Sequence, residues 1–351
     1  MQDDTDAALA AWLTDRLDGV TEVTIGSFER PHGGYSAETL IVPATVTEAG
    51  VARDERFVVR REVAEPPVYP AQVAGIDVEI EIQWRVMSAV AAHGDVPVAP
   101  LLGYEDDPSV LGAPFFVMGF VDGDVPSESP SYAAEGFFVD AASHERRRMV
   151  ETGIDAMAAI HAIDVDAAGL AWLAPDGAAD AGLRQLRIWR DYAERELDGR
   201  PHELMMAAFD RLEREIPAGG EPVLTWGDAR LGNVIWQGFR PACLTDFEAA
   251  ALAPREIDVG WWIMFEQWAH ATAGAEPLDG ELSPDEVVAH YAAASGHEIA
   301  DIGPWVLFAA ARYAAIVVRV MNRMVARGEL PADQTLYLEP IAPVLRPLLE
   351  S

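Results

Sequence analysis

The stretch VLTWGDARLGNVIW, residues Val223 to Trp236, decides how the rest of the chain is interpreted. It begins with an apolar run, passes through Gly227 and Asp228, places Asn233 five residues after that aspartate, and ends in a second apolar run. This pattern predicts a polar loop between two short buried strands. Asp and Asn also occur in ordinary turns, so the loop needs a second motif before it indicates chemistry.

The second motif is ACLTDFEAAAL, residues 242–252, in which an apolar run leads into Asp246. Phosphoryl transfer needs a carboxylate that accepts the proton of the attacking hydroxyl, and oxygen ligands that hold Mg²⁺ against the phosphates. An Asp and an Asn on one tight loop can supply the base and one ligand, and an Asp after the next hairpin strand can supply the main ligand. The combination predicts a site for phosphoryl transfer.

These motifs, WGDARLGN, LTDFEAA and a later REIDVGWW, resemble the aminoglycoside-phosphotransferase-like kinases, which are relatives of the protein kinases. That family carries H-G-D-x-x-x-x-N, then [IL]-D-[WF]-E, then D-[LV]-[AG]-W. The resemblance extends over nearly the whole chain and implies an α+β, protein-kinase-like fold of two lobes. A small β-rich nucleotide-binding lobe is expected over residues 1–120 and a larger, mainly helical lobe over residues 121–351.

The resemblance also implies roles for the acidic residues. Asp228 is expected to be the catalytic base, and Asn233 and Asp246 are expected to be the Mg²⁺ ligands. Asp258 is expected to brace the catalytic loop from the following helix. The co-substrate would be ATP or GTP, and the partner would be a small molecule that offers a hydroxyl group. The family name does not decide the acceptor, because aminoglycosides, amino alcohols, sugars and acyl or polyketide-like alcohols all remain open.

The glycine-rich stretch RPHGGYSAET, residues 30–39, lies between two predicted strands, where the family covers the nucleotide. Gly33 and Gly34 would let backbone N–H groups approach the phosphates, with Ser36 nearby. The stretch FFVMGFVDG, residues 115–123, resembles the hinge between the lobes. Its backbone at Met118, Gly119 and Phe120 would bind the adenine.

Kinases place a phosphate-binding lysine on a strand that here reads FVVRRE, residues 57–62, but this chain has no lysine. Arginine keeps the charge and adds bidentate geometry, so Arg60 is the candidate and Arg61 would point to the opposite face of the strand. The acidic partner on the next helix stays open between Glu79, Glu81 and Gln83, because two alignments of that helix are equally reasonable.

Composition excludes several classes of protein. The formal charge of −33 argues against nucleic acid or an anionic membrane as partner. The single cysteine, Cys243, excludes an intramolecular disulfide and suits a reducing cytoplasm. The apolar stretch at 303–321 contains Arg312 and Arg319, so it is predicted to be a buried helix rather than a membrane span.

One position departs from the family motif, because Trp226 stands where the family has histidine before Gly-Asp. An indole can fill the space and donate one hydrogen bond, but it cannot accept one. This departure and the missing lysine keep a second interpretation open, a catalytically silent nucleotide-binding or regulatory protein of the same fold.

His161 is predicted to be a buried structural histidine. The helical tryptophans are predicted mainly to pack, and the segment at 124–140 is either a mobile lid or an ordered wall.

Overall fold

The computed structural model describes residues 2–31, 36–73, 75–76, 78–174, 177, 179–217 and 221–350. It has the predicted α+β, two-lobe architecture, with a curled antiparallel sheet in the N-terminal lobe and helices in the C-terminal lobe. The sheet ends at Gly119. A lobe boundary at residue 120 stays a prediction.

The N-terminal lobe is one five-stranded sheet in the order β1-β2-β3-β5-β4, with every neighbouring pair antiparallel. Its elements in chain order are α1 (Gln2–Arg16), β1 (Val20–Ile25), β2 (Glu38–Glu48), β3 (Val51–Arg61), α2 (Glu79–His93), β4 (Leu101–Glu105), α3 (Pro108–Leu111) and β5 (Phe115–Gly119). Alternate residues of β2, such as Leu40, Val42 and Val46, are buried, as expected for a sheet with one face on the core.

Helix α2 ends at His93, and Gly94 is its C-terminal cap residue. The backbone of Gly94 is extended rather than left-handed, with φ −100°. A Cβ there would lie 2.9 Å from Val90 O and 3.0 Å from Ile163 Cδ1. Close packing, rather than a left-handed cap, therefore explains this glycine.

The C-terminal lobe is mainly helical, with two short two-stranded sheets at the predicted motif region. Its elements are α4 (Phe137–Asp140), α5 (Ser143–His161), α6 (Ala181–Leu197), α7 (Glu203–Glu215), β6 (Pro222–Thr225), β7 (Val234–Gln237), β8 (Arg240–Leu244), β9 (Ala251–Pro254), α8 (Glu256–Ala273), α9 (Pro284–Ser295), α10 (Gly303–Ala326) and α11 (Ala342–Glu350). β6 pairs with β9, and β7 pairs with β8, both antiparallel.

Helix α10 lies at the centre of this lobe and packs against α6, α7 and α8. Among the described residues it is the only helix long and apolar enough to cross a membrane, and 72% of its most apolar window is buried inside the protein. Its burial is that of a core helix, as the sequence predicts. Arg312 is 2% exposed in this helix and donates from Nη2 to Gly227 O at 2.9 Å, so it joins the core to the catalytic loop.

Candidate active site

The loop between β6 and β7 carries the central motif, and steric constraints explain why the first residue of its Gly-Asp pair is glycine. Gly227 has φ +89°, and a Cβ on it would lie 2.1 Å from Ala249 O. A side chain at this position would therefore meet both an unfavourable backbone conformation and a neighbouring backbone. The glycine lets the chain turn sharply, so that Asp228 leaves the strand directly toward the gap between the lobes.

Asp228 is 4% exposed, and its carboxylate accepts three side-chain hydrogen bonds. Oδ1 accepts from Trp261 Nε1 at 2.7 Å and from Arg230 Nε at 2.9 Å, while Oδ2 accepts from the Tyr69 hydroxyl at 3.1 Å. Burial raises the pKa of Asp228 to about 6, and the hydrogen bond from Trp261 opposes that rise while the charge of Asp246 adds to it. The group is therefore mostly ionised at neutral pH, but close enough to neutrality to accept and release a proton.

Thr245, the residue before Asp246, binds the backbone of Asn233 and so brings Asp246 close to Asn233. Thr245 donates from N at 2.9 Å and from Oγ1 at 3.0 Å to Asn233 O. Asn233 Nδ2 donates to Asp228 O at 2.9 Å, so its amide oxygen remains as the group for a ligand. Asp246 has φ +56° and a side chain that is 34% exposed.

This donor set fits Mg²⁺. The amide oxygen of Asn233 and the carboxylate of Asp246 are oxygen ligands, and Mg²⁺ is usually bound by one or two carboxylates together with phosphate oxygens and water. The ion pair of Asp246 with Arg60, at 3.6 Å, also places a cation beside the same carboxylate. The pair of residues can therefore hold a metal between the loop and a phosphate-binding arginine.

The catalytic loop is braced from α8 by Asp258, which is fully buried. Its Oδ2 accepts from Trp226 N at 2.6 Å, and its Oδ1 accepts from Gly227 N at 2.9 Å, which is the contact that the resemblance implies. His161 Nε2 lies 3.0 Å from Asp258 Oδ2, and His161 Nδ1 lies 2.8 Å from Tyr291 Oη. His161 is thus a buried structural histidine, as predicted, and it orients the brace.

Trp226 occupies the histidine position of the motif and is fully buried. Its Nε1 donates to Thr245 O at 2.7 Å, and its ring packs on Phe247 with centroids 6.0 Å apart. The indole therefore connects the strand before Asp228 to the turn that carries Asp246. One donated hydrogen bond is enough for this connection, and an indole can supply it.

On the nucleotide side, Arg60 of β3 points into the gap between the lobes and is 9% exposed. Its Nη2 lies 3.4 Å from Glu248 Oε2, two residues after Asp246, and 3.4 Å from Ser36 Oγ. Arg61 points to the other face, where it donates to Leu111 O at 2.9 Å. Arg60 therefore faces the residues proposed for phosphate and metal, and its acidic partner comes from the C-terminal lobe.

The helix residue facing this pair is Gln83. Its Nε2 donates to Glu248 Oε2 at 2.6 Å, so it reaches Arg60 only through Glu248. Glu79 is buried one turn away and accepts from Val68 N at 3.3 Å, while Glu81 pairs with Arg85 at 3.3 Å on a partly exposed face. The family's lysine–glutamate pair across β3 and α2 is thus replaced by an arginine, a glutamate and a glutamine.

The predicted nucleotide site includes the glycine-rich stretch and the segment between the lobes. Of the first, Gly33 and Gly34 lie outside the described residues. The N–H groups of Gly119 and Phe120 already donate to Pro100 O at 2.8 Å and Arg56 O at 3.0 Å. An adenine beside Met118, Gly119 and Phe120 would therefore meet carbonyl oxygens, or groups further along the chain, rather than these two N–H groups.

The segment around Phe120 also borders a cavity of about 610 Å³ on the N-terminal lobe. Strands β1, β2 and β3 line this cavity together with Phe120 and Asp122, and no residue of the catalytic loop takes part. The cavity therefore lies next to the segment predicted to bind adenine. It does not include the loop that carries Asp228.

The segment at 124–140 packs on α8 in this structure. Ser131 Oγ donates to Ala269 O at 3.0 Å, and the Tyr132 hydroxyl donates to Glu266 Oε1 at 2.9 Å. Glu128 forms an ion pair with Arg230, two residues after Asp228. These contacts make the segment a wall of the space in front of the catalytic loop.

Two residues at the site were not expected from the sequence. Trp261 was predicted to pack, but its indole N–H reaches Asp228; its position three residues after Asp258, on the same face of α8, is a signal that could have found it. Tyr69 lies in the proline-containing stretch between β3 and α2, and no spacing in the sequence indicates that it reaches Asp228.

Comparison with known sequences gives one family. The sequence profile of the phosphotransferase enzyme family, APH, matches residues 29–297. A curated Arabidopsis thaliana protein named as a probable acyl-CoA dehydrogenase is 27% identical over 310 residues, which are 80% of this chain and 35% of that protein. The chain thus spans about a third of the length of this curated relative.

Solved structures show the same fold. A candidate aminoglycoside phosphotransferase from Ralstonia eutropha superposes with a TM-score of 0.72 at 24% identity, covering 98% of this chain and 95% of that one. Spectinomycin phosphotransferase in complex with ADP and spectinomycin superposes with a TM-score of 0.53 at 12% identity, covering 97% and 96% of the two chains. At these identities the likeness concerns the fold.

Proposed function

Because the chain belongs to the phosphotransferase enzyme family, we propose that it transfers the γ-phosphate of ATP or GTP to a hydroxyl group of a small molecule, with Mg²⁺ as cofactor. The observation that carries this proposal is the grouping at the gap between the lobes. Asp228, Asn233 and Asp246 lie together there, and Arg60 reaches Asp246 from the other lobe. Neither a silent binding protein nor a structural module needs all four side chains in this arrangement.

Asp228 acts as the base in this proposal. The acceptor hydroxyl gives its proton to the carboxylate while its oxygen forms a bond to the γ-phosphorus and the bond from phosphorus to the bridging oxygen of ADP breaks. The products are the phosphate ester and ADP, and the proton later leaves Asp228 for solvent. A pKa of about 6 suits this task, because the group is ionised at neutral pH and is not a negligible base.

The phosphates are held by this chain's own cations and oxygen ligands. Asn233 and Asp246 would hold Mg²⁺, whose contribution there is to neutralise charge on the phosphates. Arg60 would bind phosphate oxygens with its guanidinium, and Glu248 with Gln83 keeps that guanidinium oriented. An Asp246→Ala variant is expected to weaken Mg-nucleotide binding more than an Asp228→Asn variant does.

For the acceptor we propose an apolar molecule that carries a hydroxyl group, such as a hydroxyacyl compound, in preference to an aminoglycoside. An aromatic cluster lies next to Asp228. Phe265 lies 5.0 Å from both Trp261 and Tyr313, and Trp268 lies 5.2 Å from Tyr313; Trp261 and Phe265 are buried, while Trp268 and Tyr313 are half-buried. The cation Arg230 lies 5.1 Å from the Phe265 ring. The acidic Glu128 there is already paired with the cation Arg230, whereas the half-buried rings of Trp268 and Tyr313 would pack on an acyl chain.

The name of the Arabidopsis relative supports the same acceptor class, since that protein is named for a reaction on acyl-CoA. The overall charge of −33 would favour a cationic acceptor at long range, but the groups that touch the acceptor decide its binding. The aminoglycoside alternative rests on the family name and on that charge.

The experiment measures Mg-nucleotide binding and then turnover. Thermal shift with ATP and with GTP, with and without Mg²⁺, should show stabilisation that requires the metal. ADP or GDP release is then followed with a panel of hydroxyacyl-CoA esters, free hydroxy acids, amino alcohols and aminoglycosides. Stimulation by the hydroxyacyl members, and not by the aminoglycosides, is the expected result.

Asp228→Asn tests the base with the best acceptor of that panel. Its turnover should fall by roughly 10²–10⁴-fold, because no group remains to take the proton, while its Mg-nucleotide shift stays close to wild type. The exposed Asp191→Asn is the matched control and should keep full turnover. Wild-type turnover in Asp228→Asn would exclude this residue as base, and no thermal shift with any nucleotide would exclude the proposed function.

A further inference from the structure

The stretch between β3 and α2 lies across the C-terminal lobe. We call residues 62–72 the strap. Arg319 of α10 donates from Nε to Pro67 O at 3.2 Å and from Nη2 to Pro66 O at 2.6 Å. The Tyr192 hydroxyl of α6 donates to Val68 O. Three consecutive strap carbonyls are therefore held by side chains of the other lobe.

The far end of the strap is held in the same way. Gln72 O accepts from Arg184 Nη2 at 2.5 Å, and Gln72 Oε1 accepts from Gln185 Nε2 at 2.7 Å, both from α6. These contacts fix the strap on both sides of Tyr69. The strap follows β3 of the N-terminal lobe in the chain, but its contacts are with the C-terminal lobe. These contacts therefore set the direction of the Tyr69 side chain.

Tyr69 binds the Oδ2 atom of Asp228, which is not the oxygen that Trp261 and Arg230 bind. Oδ1 already accepts from Trp261 and Arg230, and the Tyr69 hydroxyl donates to Oδ2 at 3.1 Å. Burial and the nearby charge of Asp228 raise the pKa of Tyr69 well above its usual range, so the phenol keeps its proton and acts as a donor. An acceptor hydroxyl must give its proton to this same carboxylate, so the phenol occupies the place of the reacting group.

We propose that Tyr69 shields the catalytic base from water until the acceptor displaces its hydroxyl, and so suppresses hydrolysis of the nucleotide. This inference rests on the proposed function. In the suppressed reaction a water molecule gives its proton to Asp228 while its oxygen bonds to the γ-phosphorus and the bond to ADP breaks, which yields ADP and inorganic phosphate. Tyr69 is a positioning residue here, because it acts through Asp228 and not on the phosphate.

The test uses the full chain with MgATP alone, so it does not depend on knowing the acceptor. Tyr69→Phe removes only the hydroxyl, and acceptor-independent ADP release should rise about fivefold, the factor expected for loss of one hydrogen bond. Tyr337→Phe is the matched control: it removes a buried hydroxyl that donates to Pro201 O, away from the strap and from Asp228, and its ADP release should stay at the wild-type level. Tyr69→Phe with Asp228→Asn should return to background.

A second readout separates shielding from a merely structural role. Because the phenol touches Asp228 and not the phosphates, Tyr69→Phe should raise kcat for ATP hydrolysis and leave KM for MgATP unchanged, whereas a loosened strap would also change KM. Tyr337→Phe should leave both constants at the wild-type level. Tyr69→Leu serves as the second variant if the Phe variant does not fold, and it should also hydrolyse ATP faster.

Three results bear against the inference. An unchanged kcat for hydrolysis in a Tyr69→Phe variant that binds MgATP normally would overturn the shield and leave the proposed function standing. Phosphate on Tyr69, found by mass spectrometry after incubation with MgATP, would make the phenol an acceptor and overturn the shield as well. Absence of MgATP binding in the wild-type chain would overturn the proposed function itself, and the shield with it.

Discussion

Asp228 and Glu266 are both carboxyl groups in poorly solvated surroundings of the same lobe, but their neighbours differ. Asp228 accepts from two N–H donors and a hydroxyl, and its pKa is about 6. Glu266 accepts from the Tyr132 hydroxyl at 2.9 Å and has the carboxylate of Glu281 nearby. Burial, with the charge of Glu281 adding to it, raises the pKa of Glu266 to about 8.

The difference shows what makes a buried acid usable as a base. Burial raises the pKa of both groups, and a neighbouring acid adds to the rise in each, Asp246 at Asp228 and Glu281 at Glu266. Several hydrogen bonds, that of Trp261 first, oppose the rise at Asp228, whereas at Glu266 the opposing hydrogen bond is that of Tyr132. His270 lies 2.8 Å from Glu281 Oε2 and supplies one cation to the Glu266 side. Glu266 is therefore a protonated structural group at pH 7, and Asp228 is an ionised one.

The largest effect on stability is expected when the indole of Trp226, which supports the loop carrying Asp228, is removed. Trp226→Ala leaves a cavity and frees Thr245 O, so the free energy of unfolding should fall by about 3–5 kcal/mol. Trp226→His keeps a ring and a donor and should lose clearly less stability while retaining substantial turnover. Urea unfolding of the two variants checks this order, and equal stability of Trp226→Ala and wild type would show that the indole does not support the loop.

The Glu266 side is tested by the pH dependence of stability. Its pKa is raised in the folded state, so its contribution is fully present below about pH 4.5 and is lost as pH rises through about 8. The wild-type free energy of unfolding should therefore carry a downward component across this interval, on the order of a few kcal/mol. Glu266→Gln, which cannot ionise, should remove that component.

The exposed Glu286 gives a control of opposite sign. The backbone hydrogen bond from Ser283 lowers its pKa, so its contribution is present above its unfolded pKa and is lost as pH falls. Glu286→Gln should consequently leave the decline between about pH 4.5 and 8 unchanged. A Glu266→Gln profile parallel to wild type over that interval would remove Glu266 from the explanation.

The smallest effect is expected on the pKa of Asp228 when one of its hydrogen-bond donors is removed. Trp261→Phe keeps the aromatic packing and removes the N–H donor to Oδ1, so the pKa of Asp228 should rise above about 6. The acid limb of turnover should move up by roughly half to one pH unit, which lowers the rate at pH 7 by at most about twofold. The pH profile of ADP release with the best acceptor measures this, and an unmoved limb would show that Arg230 and Tyr69 suffice.

Local spacing made much of this molecule predictable. The loop carrying Asp228 and Asn233, and the turn carrying Asp246, were placed from sequence because each adjoins short apolar runs. The Asp228 loop also contains Gly227, whose backbone conformation only a sharp turn requires. The β-rich N-terminal lobe was expected from the resemblance of the motifs, and the five-stranded antiparallel sheet confirms it.

Contacts between distant segments were not predictable. Which of Glu79, Glu81 and Gln83 faces Arg60 depends on the rotation of α2 about its axis, and that rotation is set by packing against the sheet. The arrival of Tyr69 at Asp228 depends on carbonyls of the strap that meet α6 and α10 more than a hundred residues away. Neither contact leaves a periodic signal in its own segment.

Arg60 has a practical consequence for identifying the nucleotide by chemical labelling. Reagents that deliver an acylating group to a kinase site through a nucleotide react with a lysine amine beside the phosphates. Here Arg60 stands at the strand position where a lysine is expected, and the 351 residues contain no lysine that could substitute for it. We expect such probes to leave this chain unlabelled, so surveys that rely on them would overlook the proposed kinase.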